Sequence, residues 1–152
     1  MIRKPSYALM YAATTAVVLT GLVYGVMRYF LEPADAFAVV NHPLQPLFHT
    51  LHVLSAPALA IMLGVFWASH AWAYVVSGEP KGRYSGLGML ITTTLMVFSG
   101  YLIQTTTEAL WRNIWVWLHD VSSILWTTAF VIHVTVHVLR TRRAKKALKR
   151  QS

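Results

Sequence analysis

The 152-residue chain has no cysteine. That excludes disulfides, thiolate-held metals, iron–sulfur ligation and covalent c-type haem attachment. Charge is scarce as well: only 12% of the residues are Asp, Glu, Lys or Arg, and only five are acidic. What fills the chain instead is apolar, 56% of it, an unusual balance for a water-soluble domain of this size. Histidine is unevenly placed: there are seven, none of them in the first or third of the four apolar stretches described next.

A transmembrane helix needs about 20 predominantly apolar residues. Pro5–Met27, Leu47–Val76 and Tyr84–Thr107 carry no charge at all, and Ile114–Leu139 carries only Asp120. The pattern predicts an all-α, integral membrane four-helix bundle with helices over about residues 6–31, 46–77, 84–108 and 113–140. Residues 1–140 form the membrane domain and 141–152 a basic tail. Within this sequence no stretch remains for a soluble domain. The first stretch is preceded by Arg3 and Lys4 and followed by small residues, as a signal peptide would be. Its apolar run exceeds the usual ~7–15 residues of such a segment, so it is expected to stay as a spanning helix.

Positive residues set the expected topology. If the helices alternate in direction, 11 of the 13 Lys and Arg fall on one side, and Arg28 and Arg112 fall on the other with Glu32, Asp35 and Glu108. Both termini are therefore expected in the cytoplasm, with the protein in a bacterial inner membrane. The tail "RTRRAKKALKR" supplies most of the formal net charge of +8. A basic run directly after a membrane helix is what topology and anionic lipid call for. Membrane lipid is the expected partner there, and nucleic acid is not.

Two related phrases occur on different apolar stretches, "LHVLS" at Leu51–Ser55 and "LHDVS" at Leu118–Ser122. Each is followed by another histidine, and the separation is the same in both: His70 after His52, and His137 after His119. Ionisable residues inside a bilayer are costly and mark function, although a lone histidine is also a common interhelical hydrogen-bonding residue. That shared separation closes five turns of a straight α-helix, so each pair shares a face, and His133 falls within about 40° of His119. The second and fourth helices run the same way under the expected topology. His52 would then lie level with His119 near the outer surface, and His70 level with His137, or one turn below His133, near the inner one.

Facing histidine pairs in an apolar bundle suit six-coordinate haem b, each imidazole giving one axial nitrogen. Structural zinc wants four close tetrahedral ligands. His49, His52 and His119 approach that number outside, but nothing completes the inner set. The helix count, the "LH" opening the fourth helix and "IHVTVH" at Ile132–His137 resemble bacterial membrane cytochromes b. They are similar to the four-helix b-type subunits of membrane-bound formate dehydrogenases and nickel–iron hydrogenases, and more loosely to respiratory cytochrome b. That family spaces paired ligands about four helical turns apart, as His119 and His133 are. The chain departs from it at Phe66, which stands where the same spacing counted from His52 would put a histidine, and in having no histidine on the first helix. The respiratory pattern, two ligands on each of two helices, is the nearer likeness.

The resemblance implies two haems b: an outer one on His52 and His119, and an inner one on His70 with His137 or His133. Helical register favours His137 and family spacing favours His133. Arg28 is a candidate haem-propionate contact, with snorkelling to the interface the plain alternative. Asp120 is a candidate for orienting the imidazole next to it, and His42 and His49 are candidates for quinone or partner contact at the outer rim. The function implied is an electron-transfer subunit of an oxidoreductase complex rather than a stand-alone enzyme. It would carry electrons across the membrane between the quinone pool and a redox partner, either a periplasmic protein or a larger complex, alone or as a homo- or hetero-oligomer. The alternative is a non-haem membrane protein: a metal-ion transporter, or a scaffold anchoring an enzyme complex.

Overall fold

The structure is a computed structural model that describes residues 7–72, 76 and 83–150, with the side chains of residues 70, 83–85 and 144 outside the description. It is 85% helix, with no strand among the described residues. In chain order the helices are α1 (Tyr7–Tyr29), α2 (Gln45–Phe66, continued by a π-helical turn Trp67–Ala71), α3 (Arg83–Thr105) and α4 (Ala109–Leu148). Four helices are long and apolar enough to cross a membrane, which makes this a multi-pass membrane protein. Their outward faces agree: Leu19, Leu22, Leu54, Ile61, Phe98, Tyr101, Ile124 and Val131 are all exposed. A surface this apolar is unstable in water and natural in lipid. Thr14, Ser99 and Ser122 are buried as well as Val17, Leu59, Met96 and Trp126. Small and hydroxylated residues at helix contacts are how membrane helices approach closely where no hydrophobic effect drives them together.

The chain divides into two compact units, Met1–Gly78 and Glu79–Ser152, each an antiparallel helical hairpin. In the first, α1 packs on α2. The ring of Tyr7 meets Phe66 edge-on at 5.2 Å at one end, and the Tyr24 ring lies 5.2 Å from His49 towards the other. The connector between them is pinned at both ends by Asn41. Its side-chain Nδ2 donates to Arg28 O at 2.9 Å, and its backbone N–H donates to Gln45 Oε1 at 3.0 Å. In the second hairpin α3 packs on α4, and residues 106–108 alone join them.

One helix departs from regular α-helical winding, and another outruns its expected span. Pro57 lies inside α2, where it has no N–H to give Val53 O and therefore loosens the ladder. The π-helical turn Trp67–Ala71 follows. A π turn winds more slowly than an α turn, so the five-turn register expected between His52 and His70 does not carry along this backbone unchanged. The helix α4 spans 40 residues, about 60 Å at 1.5 Å per residue, against a hydrocarbon core of ~30 Å. It continues past the expected end at residue 140, so the basic segment through Leu148 is helical. The alternation of Arg142, Arg143, Lys145 and Lys146 with Ala144 and Ala147 holds no glycine or proline that would stop it.

Candidate functional site

His52 is turned onto α1. Its Nδ1 lies 3.1 Å from the backbone oxygen of Val17 and 3.5 Å from Thr20 Oγ1. A carbonyl oxygen only accepts, so Nδ1 carries the proton and the ring's lone pair belongs to Nε2. The helix offers this carbonyl because of a glycine. Side chains on a helix lean back over the preceding turn, so residue i+4 covers the carbonyl of residue i. The residue at that position after Val17 is Gly21, and a Cβ there would stand 2.8 Å from His52 Cε1.

His119 repeats the arrangement in the second hairpin. Its Nδ1 lies 2.9 Å from Met96 O and 3.3 Å from Ser99 Oγ. The corresponding position after Met96 is Gly100, where a Cβ would stand 3.3 Å from His119 Cε1. The neighbouring hydroxyls match as well. Thr20 Oγ1 donates to Ala16 O at 2.7 Å and Ser99 Oγ to Leu95 O at 2.6 Å. Ser55 Oγ donates to His52 O at 3.0 Å and Ser122 Oγ to His119 O at 3.1 Å.

These contacts expose a likeness between α1 and α3 that the histidine phrases do not announce. Aligned on Gly21 and Gly100, "MYAATTAVVLTG" (Met10–Gly21) lies over "MLITTTLMVFSG" (Met89–Gly100). Met, one threonine pair, a valine and the glycine coincide, and Thr20 meets Ser99. The signal was present in the sequence, but Gly21 and Gly100 stand further apart than His52 and His119 do, because the two connectors differ in length. A single offset therefore does not reveal both repeats at once. Each hairpin thus places one imidazole against a glycine-opened carbonyl.

Each hairpin also buries one polar atom with no hydrogen-bond partner among the described residues: Thr14 Oγ1 in the first and Trp126 Nε1 in the second. Both sit about two helical turns from the histidine level: Thr14 from Gly21, and Trp126 from His119. Trp126 is only 1% exposed and stacks on Phe130 at 5.1 Å. A buried polar group without a partner costs on the order of 1–3 kcal/mol.

The other candidates are placed as follows. His133 and His137 are exposed on α4, one turn apart. The side chain of His70 lies outside the described residues. Among the described residues no three His, Cys, Asp or Glu gather as a metal-binding group. Arg28 Nη1 donates to Tyr24 OH at 2.9 Å, and its guanidinium lies 5.6 Å from the centre of the Tyr29 ring. His42 serves the connector: its Nδ1 accepts from Leu44 N at 3.1 Å. Asp120 is half-buried beside His119.

No family model matches this chain, and no curated protein and no solved structure matches it either.

Proposed function

We propose that the chain is a di-haem b-type membrane cytochrome, an electron-transfer subunit that passes electrons between the quinone pool and a redox partner. One observation carries the reading. His52 and His119, on different hairpins, are each fixed by an Nδ1–H bond to a backbone carbonyl that a glycine uncovers. Metal-ligating histidines commonly make this second bond, which sets the tautomer, holds the ring and raises the basicity of the other nitrogen. The donor set suits haem iron: two imidazoles in which Nδ1 donates to a carbonyl and Nε2 is the atom that would coordinate. In this reading His52 and His119 hold the outer haem, and His70 with His137 or His133 the inner one. A bound haem supplies a one-electron carrier, and the apolar helices keep water from it.

The rival is a scaffold in which the same two bonds act only as interhelical struts. A reduced-minus-oxidised absorption spectrum of the purified protein separates them. The cytochrome gives the α-band of b-type haem, and a pyridine haemochrome assay gives two haems per chain. A well-folded, colourless protein ends the proposal.

A further inference from the structure

The likeness of the two hairpins stops at the connector end. The second hairpin turns within residues 106–108, and the first turns of α4 then carry Trp111, Trp115 and Trp117. Trp111 and Trp117 are exposed, and tryptophan at the end of a membrane helix is the usual mark of the bilayer interface. The first hairpin has no tryptophan anywhere in residues 22–52. What it has instead is a long connector, residues 30–44, with apolar side chains standing out from it. Phe30 is 79% exposed, Phe37 93% and Val39 98%.

These side chains hang on a bonded backbone. Phe37 N–H donates to Asp35 Oδ1 at 2.8 Å, and Ala38 N–H donates to Asp35 O at 3.2 Å. Asn41 ties the connector to Arg28 O and Gln45. The turn sorts what it carries: Ala38 and Val40 are half-buried, while Phe37 and Val39 are fully out. Water is a poor medium for that outward pair. The lipid-facing surface of α1 leads into the same connector. Leu19, Leu22, Val26 and Phe30 succeed one another at helical spacing and are all exposed. Leu31, already in the connector, lines one apolar cleft with Leu22, Val23, Val26 and Met27. The only charged residues of the connector are Glu32 and Asp35, so it has no cation with which to hold an anionic head group. Apolar contact with lipid is what it can offer.

We propose that the first connector is a membrane-interface anchor. Phe37 and Val39 insert where head groups meet acyl chains, in the bilayer that the chain itself spans. They take in the first hairpin the place that Trp111 and Trp117 take in the second. The turn at Asp35 sets the direction of insertion, and the anchor holds whether or not the protein carries haem.

The test is site-directed spin labelling, which the absence of native cysteine makes direct. Full-length Phe37→Cys and Val39→Cys are labelled and placed in phosphatidylcholine nanodiscs. Both positions are exposed, so the substitutions leave the fold intact. Collision of the label with oxygen, which concentrates among acyl chains, is compared with collision with a water-soluble nickel chelate. Leu22→Cys on the lipid face of α1 and Ala147→Cys on the basic end of α4 give the two limits. The oxygen-to-nickel ratio at residues 37 and 39 should exceed that at residue 147 several-fold and approach that at residue 22. It should not change when phosphatidylglycerol replaces part of the lipid. A ratio at both positions as low as at residue 147 overturns the proposal and leaves the pair for a soluble partner. Spin–spin broadening that disappears on dilution with unlabelled chain overturns it in favour of a second copy. A ratio that follows the anionic lipid content overturns it in favour of head-group charge.

Discussion

The imidazole of His52 occupies the space in which a side chain on residue 21 would begin: a Cβ there would lie 2.8 Å from Cε1 and 3.0 Å from Nδ1. The ring is held in place by Val17 O, so it yields only by giving up that bond. Gly21→Ala should therefore destabilise the protein by about 1–3 kcal/mol, the usual cost of overpacking, and lower its haem content. Gly100→Ala brings a methyl group no nearer than 3.3 Å to His119 and should cost less. Thermal melts of the two variants in one detergent check the order, and a more damaged Gly100→Ala would reverse the argument.

Replacing His52 or His119 by Asn distinguishes a ligand from a strut. The Asn side-chain amide can still donate to the carbonyl of Val17 or Met96, but it has no imidazole nitrogen for iron. Each variant should stay folded, losing roughly the net worth of one hydrogen bond, about 1 kcal/mol, while haem per chain falls from two to one. Unchanged pigment in both would show that these histidines hold only the helices together.

At the other end, His133→Ala and His137→Ala are set against each other. Both side chains are exposed on α4 and one turn apart. Under the proposed reading a single inner haem would take one ligand from this helix. One variant should lose a haem and the other should keep both, as read by pyridine haemochrome. If both variants keep two haems, the inner site does not use α4.

The absence of native cysteine makes topology directly measurable. Single cysteines at Ala36, in the first connector, and at Thr141, on the basic end of α4, are both at exposed positions. A membrane-impermeant maleimide applied to intact cells or right-side-out vesicles should label Ala36→Cys at once. It should label Thr141→Cys only after permeabilisation. The opposite pattern would invert the arrangement read from the Lys and Arg distribution.

The four spans were legible because length and apolarity are strong, one-dimensional signals. His52 and His119 stood out because "LH" and a nearby serine recur in two otherwise dissimilar helices. The partners of those histidines were not. Val17 and Met96 act through backbone oxygens, which any residue has, and Gly21 and Gly100 act through what they lack. The π-helical turn at Trp67–Ala71 was hidden because nothing in "WASHA" departs from helical composition. Tyr24 and His49 stand far apart in the sequence, and only the antiparallel pairing of α1 with α2 brings their rings to 5.2 Å. Arg28 read as a candidate haem-propionate contact or a snorkelling cation, and nothing in the sequence pointed to its bond with the Tyr24 hydroxyl.

The unequal connectors have an evolutionary reading. A hairpin encoded once and assembled as identical copies cannot change one copy without changing all, so any ornament at its tip would be repeated at every tip. Written twice in a single chain, the same pattern is released from that bond. One half is free to keep its short turn while the other lengthens its loop and recruits a tyrosine, an arginine and a histidine. Residues 30–44 are then the mark of where the two copies part, one keeping a tight turn and the other a long connector.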